Sequence, residues 1–200
     1  MYRLFYNYHT IGDVLMILFG SQKKANKHEK RDNITLIFHD DELIGINIFA
    51  ISEIVRIKAQ GMIVNPASEF IDVINHILLN HGLSALAYQN ESGFVVGQVI
   101  ETIEGEEESG RIAKIDIGSR VIYVNLISSQ VEVNTLVVIA LAGTILGNGQ
   151  SVEVEEHGDV FFEGKLCLKS DLNLLNENED DGYFFIDEFM EIGQDFFAKE

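Results

Sequence analysis

Phe94-Val95-Val96-Gly97-Gln98-Val99, Arg111-Ile112-Ala113-Lys114-Ile115-Asp116-Ile117, Arg120-Val121-Ile122-Tyr123-Val124-Asn125-Leu126 and Leu136-Val137-Val138-Ile139-Ala140 decide the reading of this chain. Each is a short, β-branched run of period two, the spacing that lines one face of a strand. Between them lie Gly105 to Gly110, Gly118-Ser119 and Ser128 to Asn134, all rich in turn-forming residues. Short strands in succession, separated by turns, predict a small closed barrel, because closure removes the exposed edges that an open sheet presents. The tail adds Phe161 to Leu168, an acidic turn from Asn176 to Asp181 and a last expected strand, Tyr183-Phe184-Phe185-Ile186. Gly147-Asn148-Gly149 follows a β run and reads as a hairpin turn.

Upstream the pattern differs. Leu4-Phe5-Tyr6-Asn7-Tyr8 and Val14 to Phe19 have strand length and flank a turn at Gly12-Asp13. The basic stretch holding Lys23, Lys24, Lys27, Lys30 and Arg31 has no apolar period and reads as a solvated loop. Ile34 to Phe38 and Leu43 to Phe49 flank His39-Asp40-Asp41-Glu42 and predict a hairpin. A helix follows, with Asn65 as its expected cap, Pro66 at its first position and Gly82 at its stop. Phe70, Ile74, Ile77 and Leu78 form its apolar face, so this half is expected to be α+β. The polar stretch Gln89-Asn90-Glu91-Ser92-Gly93 marks the expected boundary, giving domains at 1–88 and 93–200.

The chain has 200 residues, 46% of them hydrophobic, and a formal net charge of −18. That charge is unevenly placed: up to Tyr88 there are 8 Lys and Arg against 9 Asp and Glu, and from Gln89 onward 6 against 23. A net of −17 on the second half opposes attraction to nucleic acid and to anionic lipid. No apolar run reaches the roughly 18 residues of a membrane helix, and the N-terminus lacks a basic start followed by an apolar segment, so a cytoplasmic protein without membrane contact is expected. The single cysteine, Cys167, excludes an internal disulfide framework and reads as a buried, inert thiol.

Signatures of catalysis are missing. The six histidines, His9, His28, His39, His76, His81 and His157, fall in no zinc-binding spacing, and His76 and His81, five apart on the helix, are not expected to share a face. There is no phosphate-binding Gly-rich loop and no nucleophile elbow. Clustered acids such as Glu106-Glu107-Glu108 and Glu153, Glu155 and Glu156 read as solvated surface. The expectation is a protein that is not an enzyme and that carries no cofactor and no metal.

Several motifs point to a family. Phe5-Tyr6-Asn7, Gly12-Asp13-Val14-Leu15 and Gly45-Ile46-Asn47-Ile48-Phe49 do so in the first half. In the second, the run at Phe94, Lys114-Ile115-Asp116-Ile117-Gly118, Val137-Val138-Ile139-Ala140, Glu163-Gly164-Lys165-Leu166-Cys167 and Ile192-Gly193 do the same. Together these resemble the YtpR type of bacterial tRNA-binding protein, in which a small α+β domain precedes an OB-fold like that of the phenylalanyl-tRNA synthetase β-subunit. The resemblance implies an α+β domain, then an all-β OB-fold, a five-stranded Greek-key barrel, that binds tRNA or another structured RNA without catalysis. The sequence departs from the family at the first barrel loop, where Gly105-Glu106-Glu107-Glu108-Ser109-Gly110 is acidic, and at Asn125 to Val131, where the family's Cys, Gly and Asn are replaced.

An OB-type barrel grips RNA with a basic groove along the phosphates. The candidates here are Arg111, Lys114, Arg120, Lys165 and Lys169, aided by the Lys23 to Arg31 stretch. The alternative is a degenerate barrel whose acidic surface binds a basic protein. Convergence of the cations on one face favours RNA, and scatter among the acids favours protein. Related barrels pair through their strands, so a homodimer is also expected.

Overall fold

The computed structural model describes every residue except 21–22, 105–110, 128–130, 159, 177 and 199–200. The chain forms two compact units, Met1–Asn90 and Glu91–Glu200. The expected turns at Gly105 to Gly110 and Ser128 to Gln130, and the acids Glu106 to Glu108, lie outside the described residues.

The first unit runs β1 (Arg3–Tyr6), α1 (Tyr8–Ile11), β2 (Val14–Leu18), β3 (Lys27–Arg31), β4 (Ile34–His39), β5 (Glu42–Phe49), β6 (Gly61–Ile63) and α2 (Ser68–Asn80). Its six strands lie in the order β3-β4-β5-β2-β1-β6, each neighbour antiparallel. Alternation puts Leu4, Leu15, Ile17, Ile34, Leu36, Ile46 and Ile48 on one face, where they pack with Ile71, Ile74, Ile77 and Leu78 of α2 in a single cluster. Each such side chain contributes about 1.5–3 kcal/mol by leaving water.

The motif residues of this unit build turns. Asn7 caps α1 by accepting from the Thr10 N–H at 3.2 Å. Asp13 accepts from the Tyr6 hydroxyl at 3.1 Å and the Ser52 hydroxyl at 2.7 Å, tying the start of β2 to the turn beyond β5. The β4–β5 hairpin turns on Asp40, whose φ of 53° is the left-handed conformation that Asp tolerates.

Two local expectations are corrected. Asn65 does not cap α2: the helix starts at Ser68 behind Ala67, with no side-chain cap. The basic stretch is not a loop throughout, because Lys27–Arg31 is a strand at the sheet edge, paired to β4 from Lys27↔Phe38 to Arg31↔Ile34. Its residues show no apolar period because it buries no face of its own; backbone pairing holds it, helped by Arg31 Nη1, which donates to the His81 carbonyl at 3.1 Å.

The second unit contains β7 (Phe94–Glu104), β8 (Arg111–Asp116), β9 (Val121–Leu126), β10 (Leu136–Leu141), β11 (Glu155–His157), β12 (Val160–Phe162) and β13 (Gly164–Leu166). Here the expected fold class is overturned. The described chain is mostly β in both units, and the second is one open seven-stranded sheet in the order β11-β12-β9-β8-β7-β10-β13, not a closed five-stranded barrel. The reason lies in the short tail strands. The outer side of β9 is taken by β12, in parallel through Phe162↔Tyr123, while β13 gives its ladder to β10. The expected last strand is reduced to isolated bridges, Leu168↔Tyr183 and Val137↔Phe185.

Val99, Ala113, Ile115, Ile122, Val124, Val137, Ile139 and Leu166 form the core of this unit. The stretch Gly193 to Phe196 lies along β7: Val96 N–H donates to the Gln194 carbonyl and Gly193 N–H to the Val96 carbonyl, both at 2.8 Å. Beside them Asp195 accepts from the Ser92 N–H at 2.5 Å and the Ser92 hydroxyl at 2.7 Å.

Candidate nucleic-acid interface

The five cations singled out in the second unit do not form one open basic face. Arg111 begins β8 and shares the strand parity of the buried Ala113 and Ile115, whereas Lys114 projects from the opposite side. Arg111 Nε lies 3.0 Å from Glu104 Oε1, its cross-strand partner, and Arg111 Nη2 donates to the Thr102 hydroxyl at 3.3 Å. Lys114 Nζ meets Glu101 Oε2 at 2.5 Å and stands 5.9 Å above the Tyr123 ring. The hydrogen bond to Glu101 holds the Lys114 ammonium above its ordinary pKa.

Arg120, in the turn before β9, pairs with Glu163 at 3.2 Å. Lys169 pairs with Glu179 at 3.1 Å, and Asn176 together with Lys169 holds the Glu179 carboxyl below the usual range. Lys165, on β13, is the most committed. Its Nζ is 2.8 Å from the Asp171 carboxylate, which is 1% exposed and also accepts from the Leu168 N–H at 2.8 Å. A buried carboxylate needs such a partner, so Lys165 neutralises an internal charge. Each of these five cations thus has a carboxylate within ion-pair distance. Asp171 carries no sequence signal, because its partner comes from a strand edge and its burial from the turn that encloses it.

In the first unit Lys23 pairs with Glu42 at 2.5 Å, Lys27 lies 3.8 Å from Asp41, and Arg31 pairs with Glu29 at 2.7 Å. Lys24 and Lys30 have no ion pair among the described residues.

His76 and His81 prove closer in role than their spacing suggests. Both line a pocket of about 510 Å³ with Asp72, Val73, Ile77 and Asn80 of α2, opposite Asn33 and Ile54. His81 Nδ1 donates to the Ile77 carbonyl at 2.8 Å, leaving Nε2 3.9 Å from Asp32. No group of three or more His, Cys, Asp or Glu suited to a metal occurs among the described residues. Cys167 is fully buried, and burial pushes its thiol pKa far up, which removes the thiolate a nucleophile requires. No helix among the described residues is long and apolar enough to cross a membrane.

Comparison with known proteins places sequence relationships beside this geometry. Residues 21–86 match a family described as a domain of unknown function, DUF4479. A stretch of 100 residues, 49% of this chain, is 34% identical to the phenylalanine–tRNA ligase beta subunit of Thermotoga maritima. The match covers 13% of that protein's length, so the matched half of this chain corresponds to a small part of the ligase subunit. The chain is thus a two-unit, mostly β protein with a partial sequence relationship to a tRNA ligase subunit.

Proposed function

We propose that this chain is a non-catalytic tRNA-binding protein of the YtpR type, with RNA held against the sheet of the second unit. The observation that carries the reading is the 34% identity to a subunit of a tRNA ligase over half the chain. Lys114 and Tyr123 on the outer side of β8 and β9 supply a cation beside an aromatic ring, the pairing that grips a phosphate next to a stacked base. RNA contact there requires Lys114 to exchange Glu101 for phosphate.

A second reading has its own support. The pairing of Arg111, Lys114, Arg120, Lys165 and Lys169 with carboxylates, on a unit of net charge −17, favours an acidic module that binds a basic protein.

Binding of labelled total tRNA across a salt series from about 50 to 200 mM separates the two. Saturable binding that falls steeply with salt and is weakened by Lys114→Glu supports RNA contact. Absence of binding at the lowest salt overturns it and leaves the protein-binding reading.

A further inference from the structure

The two open sheet edges formed by β3 and β11 carry opposite charge. In the first unit β3 reads Lys-His-Glu-Lys-Arg, with the basic residues that commonly guard an edge. In the second unit the sheet ends at β11, Glu155-Glu156-His157, where all three residues are exposed and, among the described residues, only β12 pairs with the strand.

Strand geometry sorts the side chains beside this edge. Glu156 and its partner Phe161 share one face, and Glu155 and its partner Phe162 share the other. Phe161 is 52% exposed and Val154, immediately before the strand, is 54% exposed, while Phe162 is buried. Glu153 and Glu156 have no ion pair among the described residues, and Glu155 has only His157 at 3.8 Å. The edge therefore combines free backbone donors and acceptors, exposed apolar carbon and unneutralised carboxylates.

We propose that β11 receives an extended, basic segment of a partner protein as an added strand. Main-chain hydrogen bonds to the open side of β11 supply affinity, alternate basic side chains meet Glu153 and Glu155 on one face, and the intervening apolar side chains cover Val154 and Phe161 on the other. This inference rests on the second functional reading above, and it names the surface and the chemistry of the partner. Charge complementarity selects a basic segment, since an acidic strand brought to this edge places like charges directly opposite.

The test uses the full chain and three labelled ten-residue peptides with capped ends: alternating Lys and Val, the same peptide N-methylated at every second residue, and alternating Glu and Val. Anisotropy at about 50 mM salt reports binding, and backbone NMR reports where. The proposal expects saturable binding of the Lys/Val peptide with shifts at 154–157, at least tenfold weaker binding of its N-methylated form, and at least tenfold loss on combining Glu153→Lys with Glu155→Lys. The Glu/Val peptide does not bind. Equal binding of the N-methylated peptide overturns strand addition while leaving the basic-protein reading standing. Failure of the Lys/Val peptide to bind overturns both. Self-association of the chain that Glu156→Lys abolishes overturns a foreign partner, because the edge is then covered by a second copy.

Discussion

Gly118 and Gly193 meet so closely that neither position has room for a side chain. A Cβ on Gly118 falls 2.7 Å from the Ile192 carbonyl oxygen, and one on Gly193 falls 2.6 Å from that of Ile117. Both have a left-handed φ, 78° and 87°. The obstacle in each case is backbone, which cannot rotate away as a side-chain tip does. Gly193→Ala is expected to destabilise the second unit by about 2 kcal/mol or more, from positive φ and collision together. Urea unfolding followed by circular dichroism checks this, and an unchanged midpoint would show that the contact is not maintained in solution.

Lys165 and Asp171 give a second prediction, bearing on how RNA-binding variants must be read. Lys165→Met leaves the Asp171 carboxylate buried with, among the described residues, only the Leu168 N–H as its side-chain hydrogen-bond partner, and costs about 2–3 kcal/mol. Asp171→Asn combined with Lys165→Met recovers part of that loss. If the single substitution is neutral by thermal unfolding, the ion pair is not structural. Loss of tRNA binding in Lys165 variants is evidence of contact only when the fold is intact.

Cys167 supplies a pH dependence. Its thiol is kept protonated by burial in the folded chain, whereas in the unfolded chain it ionises near pH 8.5. The folded pKa is raised, so this group's contribution is fully present below about pH 8.5. Above that the unfolded state holds fewer protons than the folded state, and stability falls by up to about 1.4 kcal/mol per pH unit. Cys167→Ala removes this group's contribution to the slope, at the expense of a small cavity. Chemical denaturation between pH 7 and 10 on both proteins measures it, and identical slopes would refute the assignment.

How much of this was legible beforehand depended on where each residue's partner lies. The runs that became β7, β8, β9 and β10 were readable because alternating β-branched residues report one buried face. The β4–β5 hairpin was readable from the short polar turn, and the helix stop from Gly82, whose φ is 72°. Barrel closure was not readable, because it depends on which neighbour the three-residue strands β12 and β13 choose. Tyr183 to Ile186 has strand composition yet forms only single bridges, and β3 is a strand without strand composition. For the candidate site, the five cations were visible but their partners were not. Glu163 for Arg120 and Asp171 for Lys165 are set by tertiary packing, and that packing changes the meaning of the charges.

The bond from Asp195 to Ser92 spans 103 positions of the sequence. On a ribosome, the opening strand of the second unit emerges long before the segment that lies along it, so its assembly waits on the synthesis of Gly193 to Phe196. Until then Phe94 and Val96 lack that hydrogen-bonded neighbour, so this side of β7 is among the last parts of the unit able to form during synthesis.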